Sequence, residues 1–205
     1  ASREIELGYG LARASRITYV GELGWEIYMP SEFAAGMLEA LLAAGVEFGL
    51  APVGMHAVNS LRIEKAYRHW GHDIGDEDTP LESGLGFAVA WDKPGGFIGR
   101  DALLAQRDQG VNKRLVQFVL EDPEPLLYHN EPIWRDGEIT GYVTSGMYGH
   151  TLGAAVGLGY VSNEAGVDAD YVAAGSYEIE VAGERFAAKA SLKPLYDPTS
   201  ARIRK

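Results

Sequence analysis

Cysteine is absent from the 205 residues. Its absence excludes disulfides, thiolate metal sites and a cysteine nucleophile within the chain, and it is compatible with a cytoplasmic location. Basic residues are scarce: 18 Lys and Arg stand against 29 Asp and Glu, for a net charge of −11. The deficit hides no basic domain, since residues 1–110 carry 9 basic and 16 acidic groups and residues 111–205 carry 9 and 13. A nucleic-acid backbone or an anionic membrane surface is repelled on average, so neither is expected as a partner. No apolar run approaches the roughly 20 residues of a membrane span. The opening Ala1-Ser2-Arg3-Glu4-Ile5-Glu6 has neither an initiator Met nor the apolar core of a signal peptide. A piece of a longer protein is the expectation.

Several motifs are also missing. Gly8-Tyr9-Gly10, Gly84-Leu85-Gly86 and Gly157-Leu158-Gly159 each give G-x-G, but the third position of a dinucleotide fingerprint holds Arg13, Val89 or Ser162. With no G-K-[ST] either, those glycines read as turn and bulge residues. His69-Trp70-Gly71-His72-Asp73 fits neither H-x₃₋₅-H nor a helical H-E-x-x-H, so no metal site is expected. Asp76-Glu77-Asp78 reads as a solvated acidic loop. There is no nucleophile elbow. His150 could act as a base or simply sit in a loop, and no catalytic residue is assigned within the chain.

The most informative stretch present is Arg16-Ile17-Thr18-Tyr19-Val20-Gly21-Glu22-Leu23-Gly24-Trp25-Glu26-Ile27-Tyr28. Strand-favouring residues flank a glycine-bracketed turn, which predicts two short strands stopped by Pro30. The ring of Tyr19 and the carboxylate of Glu26 lie either side of that turn. Such a pair can grip a flat heterocycle, one group lying against the ring and the other holding an N–H edge. It can equally be a core aromatic and an exposed strand carboxylate, and the pattern alone leaves both open.

Helices are expected over residues 31–44, with Ser31 as N-cap and Gly45 past the end, over about 52–67 with Pro52 in the first turn, and over 100–107. Residues 68–84 are turn-rich and 85–91 have strand character. Beyond Gly110 the texture changes to short β-rich runs at Leu115–Leu120, Pro132–Trp134, Ile139–Thr144, Val156–Val161, Tyr177–Val181 and Phe186–Leu192. That spacing predicts a small antiparallel barrel or sandwich and a boundary near 108–112.

Taken together, these segments resemble the glycine-cleavage T-protein (aminomethyltransferase) family. Tyr19 to Glu26 follows its Y-x-G-E-x-G-x-E signature. Asn59 to Arg68 looks like its S-L-R-x-E helix. Gly71-His72-Asp73-Ile74, Thr79 to Phe87, Phe97 to Leu103, Gly141 to Gly146 and Lys193 to Pro198 follow in order. Lys65 to Gly71 and Tyr148 to Thr151 look like the C-terminal region of FAD-dependent dimethylglycine and sarcosine dehydrogenases. The resemblance implies an α+β fold: a T-protein-like folate-binding domain over 1–110, then an antiparallel β-barrel domain over 111–205. It implies tetrahydrofolate as ligand, with Tyr19 contacting the pterin and Glu26 holding its amino and ring N–H edge, and with Trp25 turned away into packing. It also implies an upstream FAD domain of the same polypeptide as partner, so that FAD belongs to the intact protein and not to this fragment. Two departures stand out. Val58 occupies the position of a folate-assisting arginine, leaving Arg62 and Arg68 as candidates, and the family's catalytic aspartate falls upstream of this chain, which alone should not turn over substrate. A truncated stand-alone aminomethyltransferase and a non-catalytic folate-binding or scaffold module are the alternatives.

Overall fold

The structure, a computed structural model, describes residues 1–204. They fall into two compact units, one formed by residues 1–61 with 199–204 and the other by residues 62–198.

The first unit holds a three-stranded antiparallel sheet in the order β1 (Ser2–Leu7), β2 (Gly10–Ser15), β3 (Glu26–Tyr28). β1 and β2 form a hairpin around Gly8-Tyr9, with Gly8 at φ 60°, a left-handed conformation glycine adopts without steric cost. Ala12 and Ala14 alternate inward along β2. Behind Gly10 lie the Met37 Cε and the Phe33 ring, where a Cβ would stand 2.8 Å and 3.2 Å away. Met37 belongs to α1 (Ala34–Gly45), and its side chain is buried.

The helix expected from Ser31 is present, but its ends differ. Ser31 to Phe33 form a 3₁₀ turn, Pro30 stands at its cap position, and no side chain caps it. At the other end the chain passes through Gly45 (φ −80°) into a second 3₁₀ turn, Val46–Phe48. It stops at Gly49, whose φ of 69° is left-handed. Gly45 is buried for another reason: a Cβ there would lie 2.5 Å from the Leu50 Cβ. The next helix, α2 (Met55–Glu64), is shorter than expected at both ends.

In the second unit, the strand character of 85–91 is not realised. Gly86–Ala88 form a 3₁₀ turn, and Phe87 is exposed. Among the described residues no neighbouring strand offers them a ladder, and β-propensity reflects such neighbours more than the backbone itself. α3 covers Arg100–Gln109.

All six predicted runs after residue 110 are strands: β4 (Lys113–Leu120), β5 (Pro132–Arg135), β6 (Glu138–Gly149), β7 (Ala154–Ser162), β8 (Tyr177–Val181) and β9 (Glu184–Ser191). They close into an antiparallel barrel in the order β4-β7-β6-β5-β8-β9, which bears out the α+β fold with a C-terminal barrel. Phe118, Leu127, Ile133, Val143, Ala155, Val161 and Ile179 fill its interior, and Phe118 meets Tyr177 edge-on with centroids 5.5 Å apart. Close strand approach explains the glycines: a Cβ on Gly141 would fall 1.8 Å from the Tyr160 carbonyl oxygen. A short helix the sequence reading missed, α4 (Ala169–Ala174), begins where Asp168 Oδ1 accepts the Tyr171 N–H at 2.7 Å.

β6 carries two bulges, one between Val143 and Ser145 against β7 and one opposite Ile133/Trp134 of β5. The extra residues are Thr144 and Thr140. Each turns its hydroxyl to a β7 carbonyl, Thr144 to Leu158 at 3.1 Å and Thr140 to Ser162 at 2.8 Å. A bulge re-aims the side chains beside it.

Candidate functional site

Tyr19 lies on an ordered loop, not on a strand. β2 ends at Ser15 and β3 starts at Glu26, pairing as Ser15↔Glu26, Ala14↔Ile27 and Arg13↔Tyr28. The hairpin expected around the glycine-bracketed turn is therefore not formed: its first strand, expected up to Val20, is loop, and β3 pairs instead with β2 across a ten-residue connection, residues 16–25. Local hydrogen bonds shape that connection. Thr18 Oγ1 accepts the N–H groups of Val20 (3.2 Å) and Gly21 (3.1 Å), a local alternative to ladder pairing. Gly21 sits at φ 78°. Arg16 donates to the Gly24 carbonyl at 3.1 Å and stacks its guanidinium over Trp25, 5.5 Å from the ring centroid. Gly24 admits no side chain, because a Cβ would stand 2.7 Å from the Ile17 oxygen. Glu22 pairs with Arg202 at 2.7 Å. Trp25 is exposed; it belongs to the loop and its cation partner, not to packing beneath a strand.

Glu26 opens β3, partly buried, while Tyr19 is exposed on the loop. The two share no hydrogen bond. The structure instead joins Glu26 to Tyr28, whose hydroxyl donates to Oε2 at 2.6 Å. Residues two apart on a strand face the same way, so this pairing was readable from the spacing, though the sequence reading passed over it. The hydrogen bond to Glu26, helped by the carboxylate's charge, raises the Tyr28 phenol above its ordinary pKa. Glu26 Oε1 meets no donor among the described residues. A carboxylate with one oxygen held and the other open is oriented to accept from a ligand's N–H edge.

The second unit contains a buried polar network built from the Arg62 to Asp73 stretch. Arg62 (3% exposed) pairs with Asp73 (0%) at 2.5 Å. It also donates to the Tyr67 carbonyl at 3.1 Å and to Ser145 Oγ at 2.8 Å. Asp73 accepts in addition from the His69 N–H at 2.9 Å and the Thr144 hydroxyl at 2.5 Å. The bulge at Thr144 thus delivers two neighbouring hydroxyls to one ion pair. Glu64, also buried, accepts the N–H groups of Thr151 and Leu152 at 2.8 Å and 2.9 Å. Gln117 clamps the end of α2 by donating to Ile63 and Glu64 carbonyls and accepting from Leu195 N–H at 2.7 Å. Lys65 reaches the Asp197 carbonyl at 2.6 Å. Arg68 donates to Ser83 and Ala66 carbonyls. Arg62 and Arg68, the candidates for the missing folate arginine, are thus both engaged inside this unit. Burial lowers the pKa of His69, with the Arg62 charge acting in the same direction. His69 and His72 pack ring to ring at 4.6 Å, and among the described residues no group of three or more His, Asp or Glu is placed to hold a metal ion.

Known proteins complete the picture. Residues 1–93 match the family model for the GCVT N-terminal domain, and residues 113–197 match that for the glycine cleavage T-protein C-terminal barrel domain. The aminomethyltransferase T of the glycine cleavage system from Bartonella henselae superposes with a TM-score of 0.76 at 26% identity, over 89% of this chain and 49% of that one. The fold and both matches define one class: the chain belongs to the glycine-cleavage T-protein family. Within it, the chain is 44% identical to 4-methylaminobutanoate oxidase (formaldehyde-forming) from Paenarthrobacter nicotinovorans, over 98% of its own length and 24% of the oxidase. It is 40% identical to human mitochondrial sarcosine dehydrogenase, over 95% of its length and 21% of that enzyme. The chain thus spans about a quarter of the curated relatives it matches, in their C-terminal region. Among the described residues no helix is long and apolar enough to cross a membrane.

Proposed function

We propose that this chain is the folate-binding C-terminal part of a FAD-dependent N-methyl-amine oxidoreductase of the dimethylglycine/sarcosine type. The observation that carries the reading is the combination of a T-protein match along the chain with relatives four times its length that are named as an oxidase and a dehydrogenase. In this reading residues 1–110 form the folate-binding domain and residues 111–205 the barrel domain. FAD held by an upstream domain would supply oxidation of the N-methyl amine to an iminium, and tetrahydrofolate held by Glu26 and Tyr19 would supply the acceptor for the one-carbon unit, giving 5,10-methylene-tetrahydrofolate, the free amine and a proton and limiting release of formaldehyde. The base that assists lies upstream of this chain. The location proposed is the cytoplasm.

Glu26 and Tyr19 are the binding residues of the proposal. A carboxylate fixed by Tyr28 presents its open oxygen to the pterin N–H edge, and Tyr19, exposed on its loop, supplies a ring for the flat face. Charge-assisted bonds of this kind contribute on the order of 1.5–3 kcal/mol each. Calorimetry with tetrahydrofolate tests this: the wild-type chain binds, and Glu26→Gln weakens binding by about tenfold or more. Equal affinity of the two removes Glu26 from the site. Absence of heat at millimolar tetrahydrofolate, in this chain and in the polypeptide extended upstream, hands the function to the scaffold alternative.

The solved aminomethyltransferase, half covered by this chain, favours a second reading as part of a stand-alone aminomethyltransferase. A flavin domain encoded upstream eliminates it.

A further inference from the structure

The interior row of β4 does not end in an apolar residue. Val116, Phe118 and Leu120 point into the barrel core, and β4 keeps an unbroken register from Lys113 to Val119. By alternation Arg114 continues that inward row towards the barrel mouth. There it lines a cavity of about 340 Å³ with Val111 and Leu192 on its apolar wall. Barrel mouths are common ligand sites.

Two polar groups at this cavity lack the partners their chemistry requires. Arg114 Nε is buried and makes no hydrogen bond among the described residues. Gln106 Oε1 is likewise buried and unbonded, while its Nε2 donates to Glu82 at 3.3 Å, which fixes the orientation of the amide. Buried donors and acceptors are nearly always satisfied, so each orphan needs an explanation. The surrounding charges do not supply one. Arg68 lies close by, both guanidiniums converging on Gly84, and it adds positive charge. Arg107 at the cavity lies over the Trp91 ring at 4.9 Å and beside Asp108 at 3.8 Å. Asp168, the acid of the lining, spends one oxygen on the cap of α4. Glu82, Asp108 and Asp168 are thus the acids here, bonded to Gln106, beside Arg107 and on the cap of α4 respectively, and none of them bonds the Arg114 guanidinium among the described residues.

We propose that the cavity binds a small carboxylic acid with an apolar body and an N–H group, an N-acylated amino acid in chemical class: its carboxylate accepts from Arg114, its N–H donates to Gln106 Oε1, and its side chain lies against Val111 and Leu192. Both orphans are then satisfied by one molecule, and the site is independent of the folate reading.

N-acetyl-L-leucine is a suitable probe, titrated into the ¹⁵N-labelled 205-residue chain and followed by NMR. A ligand of about a dozen non-hydrogen atoms should bind near 1 mM, with the largest shifts at Val111, Arg114 Nε–H, Val167 and Leu192. The methyl ester, which lacks the charge, should bind about tenfold more weakly. Arg114→Gln should lose about tenfold and Gln106→Leu about threefold, with melting temperatures recorded to show that the variants fold. Equal binding of acid and ester, shifts centred elsewhere, an unaffected Arg114→Gln, or no shifts at about 20 mM each overturn the proposal. The acid–ester comparison decides even if a variant fails to fold.

Discussion

At the scale of single residues, the chain separates groups held for structure from groups held open. Asp73 receives the Arg62 guanidinium, the Thr144 hydroxyl and the His69 N–H, so nothing about it is left for a ligand. Asp73→Asn leaves the buried Arg62 without its counter-charge, and denaturant unfolding should show a loss of about 3–5 kcal/mol. A loss below about 1 kcal/mol would mean that water or another acid compensates. Glu26 is the contrasting case, with one oxygen on Tyr28 and the other open. Its role in the sequence reading rested on Tyr19, whereas its orientation rests on Tyr28. The Tyr19–Glu26 spacing was legible as a motif. That Tyr19 sits on a ten-residue loop was not, because the loop is organised by Thr18, Arg16 and Gly24 through contacts no propensity scale contains.

At the scale of elements, the barrel strands were read far better than the strands of the first unit, where β1 and β2 were not expected and the strand expected up to Val20 is loop. The six barrel strands are rich in strand-favouring residues, are bounded by turn residues and have neighbours on both sides, so local pattern and tertiary pairing agree. The run at 85–91 has the same local character without a partner strand, and it coils into a 3₁₀ turn. The first helix ends at Gly45, within a residue of expectation, but the left-handed stop falls at Gly49 because two glycines divide the roles: Gly45 is required by Leu50 packing, and Gly49 by its φ. Within the barrel, Gly141→Ala should be far more damaging than its one carbon suggests. The new Cβ would overlap the Tyr160 carbonyl oxygen, a backbone atom that cannot rotate away. A thermal melt should show loss of more than about 2 kcal/mol or failure to fold, whereas Gly153→Ala, in open space but at φ 77°, should cost about 1–2 kcal/mol.

At the scale of the whole molecule, the two units differ in how their strands are protected. The barrel has no edge, since every strand has two partners. The sheet of the first unit has three strands and exposes β1. Hydrogen exchange should therefore find the slowest amides at Phe118, Val143 and Leu158, opening only with global unfolding, and faster exchange through β1. Equal protection in both would show a single cooperative block.

Composition and pattern by themselves determined the class of this protein: no cysteine, an acidic surface, a run of helices followed by alternating strands, and an ordered set of family segments. These are local properties, carried by residues close together in the chain. Tertiary structure alone decided which charges are spent. Arg62 finds Ser145 across 83 positions, Gln117 finds Leu195 across 78, and the bulge at Thr144 turns a hydroxyl onto Asp73. Burial and partner choice depend on residues brought together by folding, so the same residue type reads as ligand candidate in the sequence, structural anchor at Arg62, and a guanidinium with a buried, unbonded Nε at Arg114.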